Sequence, residues 1–145
     1  CERVIAQQYS LVEARKQHLA LEGEHCHING DEFALATLVS NLLSNASKYT
    51  PEGGSILVSV TPAGGRAVLL VEDNGAGISE AEQARIFERF YHAEKTRQGG
   101  EPPGCGLGLT IVSHVADLHH ADVSVTTSSF GQGSCFRVSF SGIPT

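Results

Sequence analysis

The chain has 145 residues, 41% of them hydrophobic, which suits one ordinary globular domain that removes roughly two-thirds of its unfolded surface from water without a metal or disulfide staple. Sixteen acidic against ten basic residues give a net charge of −6, and the cations form no long cluster of the kind that tracks a phosphate backbone, so nucleic acid is not expected as a partner. Apolar runs such as 67–71 fall far short of the roughly 20 residues of a membrane-spanning helix. Nothing reads as an export signal, and Cys1, Cys26, Cys105 and Cys135 are too scattered for a zinc site or a redox pair, which makes the cytoplasm the expected location.

In chain order, Val4 to Leu21 carries apolar residues at a loosely helical period, predicting a helix that leads into the domain, with residues 1–22 as helix or linker. His25 to Asn29 alternates as a short strand, and Gly30-Asp31 supplies a turn and a helix N-cap. From Asp31 to Tyr49 the apolar positions Phe33, Leu35, Leu38, Val39, Leu42, Leu43 and Ala46 recur at three and four residues, until Pro51 and Gly53-Gly54 end the pattern. Two strand-like runs follow, Ser55 to Thr61 and Arg66 to Glu72, around a hairpin turn at Pro62-Ala63-Gly64-Gly65. A short acidic helix is expected from Ser79 to Phe87, then a mobile loop from His92 to Gly104, a helix from Gly106 to His119, and a closing hairpin of Val123 to Thr127 with Ser134 to Phe140. This order implies an α+β sandwich: a mixed, mainly antiparallel sheet covered on one face by helices.

Four patterns carry chemistry. Asn41, Asn45 and Lys48 project from one face of the long helix, where an amide oxygen suits a partly hydrated Mg²⁺ and a lysine one turn on can meet phosphate. Two asparagines at a solvent boundary would look the same. Asp73-Asn74-Gly75-Ala76-Gly77 ends a buried strand, where a carboxylate can accept from an exocyclic amine and bare glycines allow a flat ligand to approach; an ordinary acidic turn fits equally. Ile86-Phe87-Glu88-Arg89-Phe90-Tyr91 reads as aromatic packing around a cation, followed by Lys95 and Arg97. Gly104-Cys105-Gly106-Leu107-Gly108-Leu109 opens a helix with bare amides where an anion could sit, or simply links and caps it; it is neither the dinucleotide fingerprint nor the P-loop.

The order and spacing of all four resemble the histidine-kinase branch of the Bergerat-fold ATPases: Asn41 to Pro51 is similar to the N box, Asp73 to Gly77 to the G1 box, Phe87 to Tyr91 to the F box, and Gly104 to Leu109 to the G2 box. The resemblance runs from about Asp31 to Phe140. It implies that Asn45 ligates Mg²⁺, that Lys48 and Tyr49 reach toward phosphate and nucleotide, and that Asp73 reads the adenine of ATP. It further implies nucleotide contacts from Gly75, Gly77, Ile78 and Phe90, a phosphate cradle from Gly104, Gly106, Leu107, Gly108 and Leu109, and γ-phosphate stabilisation by Arg89 or Arg97.

In the related gyrase and heat-shock ATPases a water-activating Glu stands four residues before the metal-binding Asn. Asn41 occupies that place here, and an amide cannot take a proton at neutral pH, so the γ-phosphoryl group is kept for another acceptor. The acceptor is not evident, because none of the seven histidines is followed by the Glu-Leu-Arg-like pattern of the family's phosphorylated histidine. His119 matches a family histidine read as structural, while His119-His120-Ala121 departs from the usual His-Gly-Gly. The resemblance therefore implies a protein-histidine kinase catalytic domain acting on its own dimerisation domain, with a response regulator downstream, in a homodimer anchored in the inner membrane. A gyrase- or mismatch-repair-type clamp and a non-catalytic nucleotide-binding module are the other readings.

Overall fold

The computed structural model describes residues 16–24, 30–75, 108–128 and 132–141, with positions 5, 6, 9, 13, 14, 28, 77 and 130. Five strands, β1 (His18–Gly23), β2 (Ser55–Ala63), β3 (Arg66–Asp73), β4 (Asp122–Thr127) and β5 (Ser134–Ser141), form one sheet in the order β1-β2-β3-β5-β4. The β1–β2 pair is parallel and the other three pairs are antiparallel. Two helices, α1 (Glu32–Tyr49) and α2 (Gly108–Leu118), pack on each other and on the sheet.

Both helices lie on one face, because the core takes alternate positions from each central strand. Ile56 and Val58 of β2, Ala67, Leu69 and Val71 of β3, and Phe136, Val138 and Phe140 of β5 meet Leu38, Val39, Leu42, Leu43 and Ala46 of α1 and Val112, Val115 and Ala116 of α2. Each large side chain buried there contributes about 1.5–3 kcal/mol. At the start of α1 the Asp31 carboxylate accepts from the Ala34 amide at 3.0 Å, which makes Asp31 the N-cap that the sequence suggests.

The helical reading fails at its C-terminal end. Positions 5, 6, 9, 13 and 14 are helical, but His18–Gly23 is a strand whose partners run from His18↔Ser55 to Gly23↔Val60. The backbone groups along that edge of β2 need partners, which an extended segment supplies and a helix would not. Leu19 then packs against the core, whereas the helical reading had taken Leu19 and Leu21 as points on a helical stripe. Gly23 closes the strand at φ 121°, where a side chain would collide with the Val60 carbonyl.

The first hairpin turn is tighter than the four residues expected. β2 continues through Pro62 and Ala63, leaving Gly64 and Gly65, at φ 58° and 79°, as a two-residue turn of the kind that matches strand twist. Pro62 is tolerated because β1 ends opposite Val60, so no strand flanks it on that side. Of His25 to Asn29 only Ile28 is described, in an isolated bridge. The expected helix from Ser79 to Phe87 and loop from His92 to Gly104 lie outside the described residues, as do Gly106 and Leu107 of the expected second helix. Among the described residues no helix is long and apolar enough to cross a membrane.

Candidate functional site

Asp73 ends β3 on the face that carries the core. It stands in register with Ile56, two residues beyond Val71, so a carboxylate occupies a place the pattern reserves for a hydrophobe, and it is 3% exposed. Its Oδ1 accepts from the Gly75 amide at 2.9 Å and from the Ser134 amide at 3.4 Å; among the described residues Oδ2 accepts nothing. Burial raises the carboxyl above its ordinary 3.8, against the lowering pull of those two amides. An acid held this way has one oxygen fixed by the protein and one left for a ligand donor.

At Gly75 and Gly133 the backbone around it has no room for a side chain. A Cβ on Gly75 would strike the Tyr49 carbonyl, and one on Gly133, at φ 95°, would strike the carbonyl of Asp73 itself. Gly77, at φ 84°, lies along Gly133 in the left-handed region that glycine enters without strain. Asn74 pins the turn to its neighbours: Ser55 N donates to its Oδ1 at 2.8 Å, its own N–H donates to Ser55 O at 3.2 Å, and Gln132 Nε2 donates to its carbonyl at 3.0 Å.

The end of α1 meets this turn through Tyr49. Asn41, Asn45, Lys48 and Tyr49 are all half-buried on that helix. Asn41 Nδ2 donates back to Thr37 O at 2.9 Å, whereas the Asn45 amide makes no hydrogen bond among the described residues. Lys48 Nζ lies 5.6 Å from the centroid of the Tyr49 ring, within cation–π range. Gly108 opens α2, and the Leu109 side chain packs against the core, leaving its amide in the first helical turn, where backbone N–H groups have no intrahelical partner.

The site residues Asn41, Asn45, Lys48, Tyr49, Asp73, Gly75, Gly77, Gly108 and Leu109 are thus described. Ile78, Arg89, Phe90, Arg97, Gly104, Gly106 and Leu107 lie outside the described residues, as does Lys95. Sequence reasoning overlooked two contributors. Gly133-Ser134 receives and fixes Asp73, a role that the paired glycines of Gly131-Gln132-Gly133 could have signalled. Gln17, 6% exposed, hydrogen-bonds the end of α1, and no local pattern marks it.

His119 sits at the other end of the helical layer. Its Nδ1 donates to Val115 O at 2.8 Å and its Nε2 accepts from the Asp31 amide at 3.1 Å, so one imidazole ties the end of α2 to the start of α1. This fits the structural reading of that histidine. The next residue, His120, takes a left-handed φ of 54°; Ala121 N donates to Ala116 O at 2.8 Å and His120 N to Asp117 O at 3.1 Å, the two bonds of a Schellman cap.

The family model for histidine kinase-, DNA gyrase B-, and HSP90-like ATPases matches residues 30–142. The chain is 40% identical over 115 residues to the sensor-like histidine kinase SenX3 of Mycolicibacterium smegmatis, which covers 79% of this chain and 29% of that protein. Among solved structures it is similar to the mycobacterial sensor histidine kinase MprB, with a TM-score of 0.82 and 29% identity over 99% of this chain and 95% of that one. It is also similar to full-length ShkA in complex with AMPPNP, with a TM-score of 0.79 and 28% identity over 99% of this chain and 30% of that one. The chain therefore spans less than a third of the length of the curated relative it matches.

Proposed function

Because the chain belongs to the histidine kinase-, DNA gyrase B- and HSP90-like ATPase family, we propose that it binds Mg·ATP and passes the γ-phosphoryl group to a histidine on a dimerisation segment of a sensor kinase. We take residues 1–145 as one catalytic domain, with the segment before β1 leading in from that dimerisation part. The observation that carries the reading is the meeting of α1 with the Asp73 turn: the Tyr49 carbonyl, at the end of the helix that bears the half-buried Asn45 and Lys48, lies against Gly75, whose amide holds one oxygen of the buried Asp73 carboxylate and leaves the other open.

These residues fit the ligand. Asp73 Oδ2 accepts the exocyclic amine of adenine, and the glycine backbone at 75 and 77 lets the ring lie close. Asn45 offers a neutral oxygen not engaged elsewhere among the described residues, a ligand suited to a partly hydrated magnesium ion. Asn45 would hold magnesium, which when bound would supply charge neutralisation to the phosphates. Lys48 adds a fixed positive charge beside them, and the amides of Gly108 and Leu109 present donors at a helix N-terminus. Arg89 and Arg97 are assigned to the γ-phosphate, with Ile78, Phe90, Gly104, Gly106 and Leu107 in the pocket wall, on the family resemblance.

Asn41 decides between transfer and hydrolysis. Its Nδ2 is engaged with Thr37 O, and its remaining oxygen is an amide oxygen with no useful basicity, so position 41 offers no base to activate water. This disfavours a hydrolytic clamp. Catalysis then reduces to positioning and charge neutralisation around a phosphoryl group awaiting a nucleophile. In this reading the whole protein is a homodimer anchored at the cytoplasmic face of the inner membrane, and its phosphohistidine serves a response regulator. The test incubates the chain with γ-labelled ATP and a separately supplied histidine-bearing segment. Acid-labile label on that segment is expected; release of free phosphate alone would refute transfer in favour of hydrolysis, and neither product would leave a nucleotide-binding module.

A further inference from the structure

The last carbonyls of a helix have no intrahelical partners, and α1 ends without a left-handed cap, since Thr50 is extended at φ −97° and ψ 132°. The cap comes instead from 30 and more residues upstream. Gln17 Nε2 donates to Ser47 O at 2.9 Å and to Thr50 O at 2.7 Å, with Pro51 O at 3.5 Å, while Ser47 Oγ donates to Gln17 Oε1 at 2.7 Å. Gln17 and Ser47 are 6% and 1% exposed, so water cannot replace these bonds. The next residue, His18, donates to Gly54 O at 2.9 Å and starts β1, which fixes where Gln17 stands.

Between Ser47 and Thr50 lie Lys48 and Tyr49. The Tyr49 carbonyl rests against Gly75, and the Gly75 amide holds Asp73 Oδ1. A continuous path of contacts thus runs from the segment entering the domain, through the end of α1, to the carboxylate assigned to adenine. We infer that Gln17 is a positioning residue for nucleotide binding, which acts through the last turn of α1 and couples the incoming segment to the geometry of Lys48 and Asp73. This rests on the nucleotide-site reading above. A purely structural Gln17 would lower stability alone; a positioning Gln17 sets affinity in the folded state.

The test measures binding of the magnesium complex of β,γ-imido-ATP by calorimetry, at a temperature where circular dichroism shows each variant folded, beside urea unfolding. Gln17→Ala removes the amide, Gln17→Glu replaces its donor with an acceptor facing carbonyl oxygens, and Ser47→Ala removes the one bond that the Ser47 hydroxyl of α1 donates to Gln17. Arg66→Ala is the control: it breaks the bonds from Arg66 to Ser139 Oγ and O at 2.6 and 2.7 Å, at the opposite end of β3 from Asp73. Both Gln17 variants should weaken affinity by about fivefold or more, with Ser47→Ala weaker in the same direction, and Arg66→Ala should lose stability at unchanged affinity. Gln17 variants that lose stability yet keep wild-type affinity would overturn the inference, as would unchanged affinity in Ser47→Ala if the Gln17 variants do not fold. A wild-type chain that binds no analogue would instead overturn the nucleotide reading and this inference with it.

Discussion

The carbonyl of Tyr49 occupies the space where a side chain on residue 75 would have to go. This contact joins a helix end to a strand end, so Gly75 is required by space rather than by flexibility. Gly75→Ala should cost about 1–3 kcal/mol of stability, as overpacking does, and should weaken nucleotide binding by about tenfold or more because the Gly75 amide orients Asp73. Urea unfolding and calorimetry on the same material check both; a stable variant with native affinity would show that the turn can yield.

Asp73 sets binding against stability. Burial lifts its carboxyl above 3.8, so the folded state holds the proton more tightly than the unfolded state does. Stability contributed by this group is therefore fully present below about pH 3.8 and is lost as pH rises through the higher folded value. Asp73→Asn keeps an oxygen for the Gly75 amide and removes the charge. It should unfold at a higher temperature than the wild type at pH 7, with the difference shrinking toward pH 3, while its nucleotide binding falls. Equal melting temperatures at neutral pH would contradict the sign.

Much of this was legible in the sequence where a local rule and the global fold agree. The apolar period of α1 and the Asp31 cap survive folding because the helix buries the face its pattern defines. The strand patterns of β2, β4 and β5 survive likewise, since alternation there reports the face that the helices cover, and β3 survives as the continuous apolar run of a central strand. His18–Gly23 was misread because two leucines spaced by two fit a loose helical stripe, and only the edge of β2 decides otherwise. Gln17 and Ser134 stayed hidden for a similar reason. Their bonds to Thr50 and Asp73 span 33 and 61 positions, beyond any local pattern.

His120 occupies the left-handed position of a Schellman cap that glycine fills without strain. His120→Gly should stabilise the chain by about 1 kcal/mol, read as a higher urea midpoint at unchanged slope. Loss of stability would mean that the exposed imidazole makes up for the strain.

The Cys135 thiol is pushed up to about 11, first by burial and next by the nearby charge of Glu72. At pH 8 only about one thiol in a thousand is ionised, so native Cys135 should resist iodoacetamide for hours and react promptly in urea. Peptide mass spectrometry locates the label at Cys135; rapid native modification there would contradict its burial.

Calorimetric titration of the folded chain with magnesium β,γ-imido-ATP, run beside Asp73→Ala, bears most directly on whether this pocket takes a nucleotide. Saturable heat from the wild type that vanishes in Asp73→Ala is the expected result. No heat from folded wild-type chain at millimolar analogue, or equal binding by both proteins, would contradict it.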